Sequence, residues 1–233
     1  MKSVVDRYTS GKYFLDNPTW DKEDSPWKAR FVNEFIIGTG IVPSSICEIG
    51  CGSGNVLAEL RSFFPDTELI GYEIAKDASR FWSEHSLKNI NFHLGDFINL
   101  NERKYDVLLL LDVIEHIADP LSYLSRIKDK GRYILLHIPL DLSAINVVRR
   151  KPLINLREKV GHINYFTKDL AISLINEAGY KIIKWKYSGS YLNSPKKSWK
   201  TIAMQLPRNI AYFVNKDVGV RMLGGETLWV LLE

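Results

Sequence analysis

The run Glu48-Ile49-Gly50-Cys51-Gly52-Ser53-Gly54 is where chemistry is most legible in this 233-residue chain. Glycines at alternate positions let backbone amides approach a ligand closely, as a nucleoside-binding turn requires. The spacing is G-x-G-x-G. A dinucleotide fingerprint would place its third glycine at position 55, which is Asn55, and this weakens a pyrophosphate reading. A glycine-rich turn alone is often only a tight connection. Two acids shift the balance. Glu73 follows about 20 residues after the glycines, where a carboxylate can accept hydrogen bonds from ribose hydroxyls, and Asp96 stands in Gly95-Asp96-Phe97 after the next strand. A lone acid at a strand end is usually a solvated turn residue, but acids closing consecutive parallel strands converge on the crevice where open sheets bind ligands.

Three histidines are candidate general bases, because imidazole titrates near neutrality and can take a proton from a hydroxyl or amine. Each also has a plainer role: His116 as a loop-orienting residue, His137 as a satisfied core residue near Pro139, and His162 as a link between a long loop and a helix cap. Glu115 rivals them, although an acid beside a helix start more often serves the cap or the helix dipole. Cys47 and Cys51 lie four apart without paired ligands nearby, which suits neither a disulfide framework nor a zinc site. No metal is expected, and both thiols are read as reduced.

Elements must position these residues. Ile46-Cys47-Glu48-Ile49 is a short strand, and Val56, Leu57, Leu60, Phe63 and Phe64 then recur at helical spacing, so the order is strand, glycine turn, helix. Strands at 68–73 and 91–94 flank a helix around 77–86. The strand at 105–111 carries Leu108 to Leu111 without alternation, as a central parallel strand covered on both faces would. A helix at 119–128, a strand at 133–138 ended by Pro139, a Thr167-capped helix stopped by Gly179, and strands at 181–187 and 227–232 complete the pattern. Upstream, Ser25-Pro26 opens a helix that carries Trp27, Phe31, Phe35 and Ile36 and closes near Gly38. The basic stretch 140–161 has no clear periodicity and reads as a long functional loop. Trp199, Ile202, Ala203 and Leu206 mark an amphipathic helix that Pro207 interrupts.

With these motifs in order, the chain from Ser45 to Tyr180 resembles the class I S-adenosylmethionine-dependent methyltransferases, whose first motif is an acid followed by G-x-G-x-G. Asp106-Val107-Leu108-Leu109-Leu110-Leu111-Asp112-Val113-Ile114-Glu115-His116-Ile117 is similar to the fourth-strand signature of a small-molecule branch that includes ubiquinone-pathway O-methyltransferases. Gly161-His162-Ile163-Asn164-Tyr165-Phe166-Thr167 and Asn176-Glu177-Ala178-Gly179-Tyr180 resemble the same branch. The resemblance implies a doubly wound α/β fold with a mostly parallel seven-stranded sheet, helices on both faces and an antiparallel last strand. It also implies S-adenosylmethionine as cofactor and S-adenosylhomocysteine as product. On the matching positions, Glu48, Gly50, Cys51, Gly52 and Gly54 would line the methionine portion, and Glu73 would hold the ribose. Gly95, Asp96 and Phe97 would read the adenine edge, with Tyr72 or Ile74 beside the ring, while Leu111, Asp112 and Val113 close the fourth strand at the cofactor. Asp112 departs from the small or apolar residue common there, so its carboxylate faces either cofactor or substrate.

Hydrophobic residues at 45% and charged residues at 25% match ordinary globular usage, and a net charge of +4 falls short of a dedicated nucleic-acid binder. The start carries no apolar run and nowhere do about 18 apolar residues occur in succession, so a soluble, cytoplasmic protein is expected. Residues 1–40 form an aromatic arm and helix, with Tyr8, Tyr13, Phe14, Trp20 and Trp27 as a lid or a structural cover. Residues 41–233 form the cofactor-binding domain, with 140–165 and 189–222 as substrate-side insertions. Lys196, Lys197, Lys200 and Arg208 read as a solvated face, or as a surface for a phosphorylated or membrane-associated substrate. The expected partner is a small-molecule acceptor; oligomeric state has no signature. Three other readings compete. A nucleic-acid methyltransferase would use Asn17-Pro18-Thr19-Trp20, but that mimic of a base-gripping motif precedes the first strand and lacks its second proline. A nicotinamide oxidoreductase would use Tyr180 and Lys184, a pair that belongs on a helix and here falls in a strand. A non-catalytic module that merely binds the cofactor is the third.

Overall fold

The computed structural model describes residues 4–193 and 199–233. Lys196 and Lys197 lie outside the described residues. Seven strands, β1 (Ser45–Ile49), β2 (Glu68–Glu73), β3 (Ile90–Leu94), β4 (Tyr105–Leu111), β5 (Gly131–Pro139), β6 (Ile182–Ser188) and β7 (Thr227–Leu232), form one sheet in the order β3-β2-β1-β4-β5-β7-β6. β1 to β5 pair in parallel, and β7 runs antiparallel to both β5 and β6. This is the doubly wound, mostly parallel sheet expected, with its last strand reversed. The chain winds outward from β1 to β3, then returns to the other side of β1 as β4. That switch leaves a crevice at the carboxyl ends of β1 and β4, where open α/β sheets bind ligands.

Helices cover both faces. The amino-terminal arm contributes α1 (Val4–Thr9), α2 (Lys12–Asp16) and α3 (Ser25–Ile37); α4 (Asn55–Leu60), α5 (Phe97–Leu100) and α6 (Pro120–Ile127) link the parallel strands. α7 (Ala144–Arg149), α8 (Lys151–Asn155) and α9 (Lys168–Glu177) join β5 to β6, and α10 (Ser190–Asn193), α11 (Trp199–Ala203), α12 (Gln205–Val214) and α13 (Lys216–Leu223) join β6 to β7. Along β4, Leu108 and Leu110 pack with Ala171 and Ile175 of α9, whereas Val107 and Leu109 pack with Val32 and Phe35 of α3 and Leu57 and Leu60 of α4. Alternate residues therefore enter opposite cores, which is why this strand is apolar without alternation. Trp229 of β7 is fully buried and stacks on Phe31 and Phe35, tying α3 to the sheet.

Local differences from the sequence reading have identifiable causes. The helix expected around 77–86 is a 3-10 run, Ala78–Lys88, ended by Asn89 in the left-handed region. The stretch expected as a loop folds as α7, α8 and one π-helical turn, Leu156–Val160. Its helices are short because Arg150, at φ +57°, breaks them apart, so no apolar period could accumulate. The helix expected from Trp199 to Leu206 is interrupted as Pro207 requires, but at Met204: α11 ends at Ala203, the residue whose carbonyl a proline at 207 cannot bond, and Pro207 falls in the first turn of α12, where its missing N–H is no loss. Trp27 belongs to the α3 core and not to the cover over the crevice.

Gly54 starts α4 at φ +79°, and a Cβ there would lie 2.5 Å from the Phe92 ring. Gly40 has a similar φ of +71° with nothing within 4 Å of its would-be Cβ. Gly54→Ala is expected to destabilise by about 2–4 kcal/mol in urea denaturation, combining backbone strain with overpacking. Gly40→Ala carries the strain alone and should cost about 1–2 kcal/mol; equal losses at the two positions would refute the steric account.

Candidate active site

The glycine turn is held by its neighbours, not by its own loop alone. Gly50, Gly52 and Gly54 all have positive φ, and the amides of Gly50 and Cys51 donate to the Tyr72 carbonyl at 2.8 and 3.1 Å. Glu73 accepts from the Gly52 amide at 3.0 Å and from the Ala75 amide at 2.8 Å, so one carboxylate clamps the turn to the end of β2. From beneath, Trp82 donates to the Gly52 carbonyl at 3.0 Å, and His85 Nε2 lies 3.0 Å from that of Ser53. The turn thus borders a cavity of about 720 Å³, within the usual range of small-molecule sites.

Asp112 ends β4 at φ +57°, a left-handed conformation that aspartate tolerates better than most side chains. Its Oδ2 lies 2.7 Å from the Lys28 ammonium of α3 and its Oδ1 lies 2.8 Å from His137 Nδ1. Burial acts against the charged Asp112, but His137 and Lys28 outweigh it and hold the carboxyl well below the usual carboxylate range. Burial likewise opposes the Lys28 ammonium, and Asp112 reverses the balance, so the net direction is upward. His137 Nε2 lies 2.8 Å from the Thr227 hydroxyl, while its Nδ1 meets Asp112 as an ion-pair contact without hydrogen-bond geometry.

A second group assembles where 161–164 lies on the loop after β4. The Glu115 carbonyl accepts from the amides of Ile163 and Asn164 at 2.9 and 3.0 Å, and this docks His162 beside His116 with ring centres 4.9 Å apart. His162 Nδ1 lies 2.6 Å from Asp141 Oδ2. His116 Nδ1 lies 2.8 Å from the Tyr8 hydroxyl and 3.1 Å from the Gly161 carbonyl. The Nε2 atoms of both rings lie 3.9 Å from Glu115 Oε1. Glu115 is fully buried with neither oxygen hydrogen-bonded, and burial followed by Asp112 drives its carboxyl well upward. Burial and then His162 push His116 down to about 4, so it is neutral at pH 7. The ligand atoms of Glu115, His116 and His162 all fall within 4.8 Å of one another, an arrangement able to hold a divalent cation although the sequence suggested none. Asp141 and the Gly161 carbonyl orient the two rings as outer partners of metal-binding histidines commonly do.

Of the residues singled out from sequence, Glu48, Gly50, Cys51, Gly52, Glu73, Ile74, Leu111, Asp112, Val113, His116 and His162 line the cavity. The others stand elsewhere. Gly54 starts α4 against the Phe92 ring, and Tyr72 and Phe97 pack edge to face in the core. The would-be Cβ of Gly95 would meet Leu100, and the Asp96 carboxylate caps α5 by accepting from the Ile98 amide at 3.1 Å. His137 is a buried sheet residue behind Asp112 and is not among the residues that line the cavity; its plainer reading as a core histidine is the one its burial favours. The sequence reading missed Lys28, Asp141, Trp82 and His85. Asp141 was within reach, because it follows the end of β5 as Glu73 and Asp96 close or follow theirs. Lys28 carried no signal beyond being one of three charged residues on α3.

The arm covers the cavity. Tyr8, Tyr13 and Trp20 line it, with the Tyr13 ring 5.0 Å from Tyr8 and 4.9 Å from Trp20. Arg7 donates to the Glu158 carbonyl at 2.6 Å and Asn17 to that of Lys159 at 3.3 Å, which ties the arm to the segment after α8. Trp20 and Asp21 are consecutive residues at φ +50° and +48°, a strained corner that sets the Trp20 ring against Gly52.

Glu48 is buried at the base of the turn, where burial outweighs Lys28 and pushes its carboxyl up to about 8. The folded protein therefore holds a proton that the unfolded chain releases near pH 4.5, so this group costs stability increasingly as pH rises from there to about 8. Glu48→Gln removes the cost. In denaturant titrations at pH 5, 6.5 and 8, the stability advantage of the variant is expected to grow by about 1 kcal/mol per pH unit; an advantage independent of pH would rule this out.

A family model described as a methyltransferase domain matches residues 24–184. The ubiquinone biosynthesis O-methyltransferase of Hydrogenovibrio crunogenus is 26% identical over 122 residues, covering 46% of this chain and 48% of that protein. Its counterpart from Dinoroseobacter shibae is 28% identical over 167 residues, covering 66% of each. The chain thus spans between about half and two thirds of these two curated relatives. Among solved structures, magnesium protoporphyrin IX methyltransferase from Synechocystis PCC 6803 with bound SAH superposes with a TM-score of 0.60 at 12% identity, over 90% of this chain and 83% of that one. That likeness establishes the shared fold. With the family match extending over well more than half of its length, this chain belongs to the methyltransferase domain family.

Proposed function

We propose that the protein transfers the methyl group of S-adenosylmethionine to an oxygen or nitrogen of a small-molecule acceptor. The observation that carries this reading is the convergence, at one strand-end crevice, of a left-handed glycine turn with the carboxyl groups of Glu48, Glu73 and Asp112. Backbone amides and the Glu73 carboxyl suit a nucleoside, and the ionised Asp112 carboxylate suits a cation. The donor supplies a methyl already activated on sulfur, so the protein has mainly to align an acceptor in line with that bond and to exclude water. Gly50 to Gly52 are assigned to the methionine portion and Glu73 to the ribose. Ile74, which lines the cavity where Tyr72 does not, is assigned to the adenine ring. Tyr8, Tyr13 and Trp20 are assigned to a lid, with residues 1–40 as cover and 41–233 as the domain that binds the donor. The finer reading is an oxygen acceptor, supported by the names of the curated relatives. Among the described residues no helix is long and apolar enough to cross a membrane, and the proposed location is the cytoplasm.

Within this reading His162 is the general base. Its Nδ1 is held by Asp141, which leaves Nε2 to receive the acceptor's proton, while His116 is kept neutral beside it. His162→Gln is expected to lower turnover by about 10²–10⁴-fold, with affinity for S-adenosylmethionine unchanged in isothermal titration. Unchanged turnover would remove His162 from the mechanism, and binding of NAD in place of S-adenosylmethionine would overturn the whole proposal. A second reading is favoured by the convergence of Glu115, His116 and His162: a divalent cation there would orient a hydroxyl acceptor. Turnover lost on chelation and restored by added metal would select it over a metal-free base. Deleting residues 1–20 separates lid from cover: a lid predicts a folded protein that binds the donor but has lost turnover.

A further inference from the structure

The helix α12 is inside out. At 3.6 residues per turn, Leu206, Ile210, Phe213 and Val214 fall within about 100° of one another and form a single apolar stripe. That stripe faces solvent, with 69%, 59%, 93% and 79% of these residues exposed. The opposite side of α12 is the anchored one: Tyr212 donates to the Gly224 carbonyl at 2.5 Å and Arg208 to the Leu223 carbonyl at 3.3 Å. A surface helix ordinarily turns its apolar stripe to the core, so this stripe is shaped for something outside the chain.

Charge narrows the choice. No Asp or Glu occurs between Glu177 and Asp217, although Lys181, Lys186 and Lys216 of that stretch are paired with Glu233, Glu34 and Glu226 from outside it. The insertion after β5 has the same character: no acid lies between Asp141 and Glu158, and Arg149, Arg150 and Lys151 are exposed beside the exposed Val147 and Val148. The register Pro139↔Thr227 and Ser188↔Thr227 puts both insertions at the end of the sheet where the cleft opens. A second copy of this chain would bring the same cations against this face.

We infer that α12 and the basic insertion after β5 dock the protein on the anionic surface of a lipid bilayer, with the α12 stripe entering the headgroup boundary and the exposed arginines and lysine meeting lipid phosphates. Short apolar faces flanked by cations bind such interfaces through buried area and electrostatic attraction together. The inference goes beyond methyl transfer and is tested without it. The full chain is mixed with phosphatidylcholine vesicles containing or lacking a quarter phosphatidylglycerol, and bound protein is measured by flotation at low and high salt. Wild type is expected to float with the anionic vesicles at least tenfold more than with neutral ones, and to be released by salt. Ile210→Asp combined with Phe213→Asp should reduce binding at least tenfold with an unchanged thermal melt, and Arg149→Glu with Arg150→Glu should do the same. Three results would overturn the inference: no flotation of wild type, flotation indifferent to both double variants, or a concentration-dependent dimer in sedimentation that the α12 variant abolishes, which would assign the stripe to a second copy.

Discussion

Carboxyl groups withdrawn from water set the terms for this molecule. Glu48, Glu73 and Glu115 are buried around one end of the sheet and Asp112 is half-buried among them. A buried carboxylate is expensive unless it is paired, hydrogen-bonded or protonated. All three remedies are used. Glu73 is satisfied by backbone amides, Asp112 by Lys28 and His137, and Glu48 and Glu115 by favouring their protonated forms. The remedy chosen at each position determines what that residue can do. Glu73 shapes the glycine turn because its bonds run to that turn. Asp112 joins helix α3, strand β4 and strand β5 because its partners come from different elements.

The same accounting separates the three histidines, which look equivalent as residue types. His137 is buried between the Thr227 hydroxyl and the Asp112 carboxylate and serves to hold Asp112. His116 is desolvated beneath Tyr8 and kept neutral. His162 has one nitrogen anchored by a carboxylate and the other turned toward Glu115 and His116, so its ring is oriented without being used up. The geometry that distinguishes them arises from residues distant in sequence: Thr227 for the first, Tyr8 for the second and Asp141 for the third.

The amino-terminal arm shows how cover and site depend on each other. Arg7 and Asn17 reach the segment after α8, which also lies next to His162 in the chain. The cavity wall is therefore built from the arm and from the segment that holds Val160 and His162, around a sheet that supplies the floor. On the outer side of the connection between β6 and β7, the polar anchoring of α12 leaves an apolar stripe exposed to solvent.

What the sequence determined by itself was local and periodic. The glycine spacing, the alternation of strand and helix and the uninterrupted leucines of β4 each depend on neighbours a few residues away, and from them the sheet and the turn at Gly50 to Gly54 were legible. Glu48 and Glu73 were legible too, because a strand end is a position that chain order defines. Tertiary structure alone decided the pairing of Lys28 with Asp112, of Asp141 with His162 and of Tyr8 with His116. These contacts join residues separated by 84, 21 and 108 positions, and no periodicity relates them. The outward stripe of α12 belongs to the same class: apolar spacing is visible in sequence, but which side of a helix meets the core is settled only by what the rest of the chain packs against it.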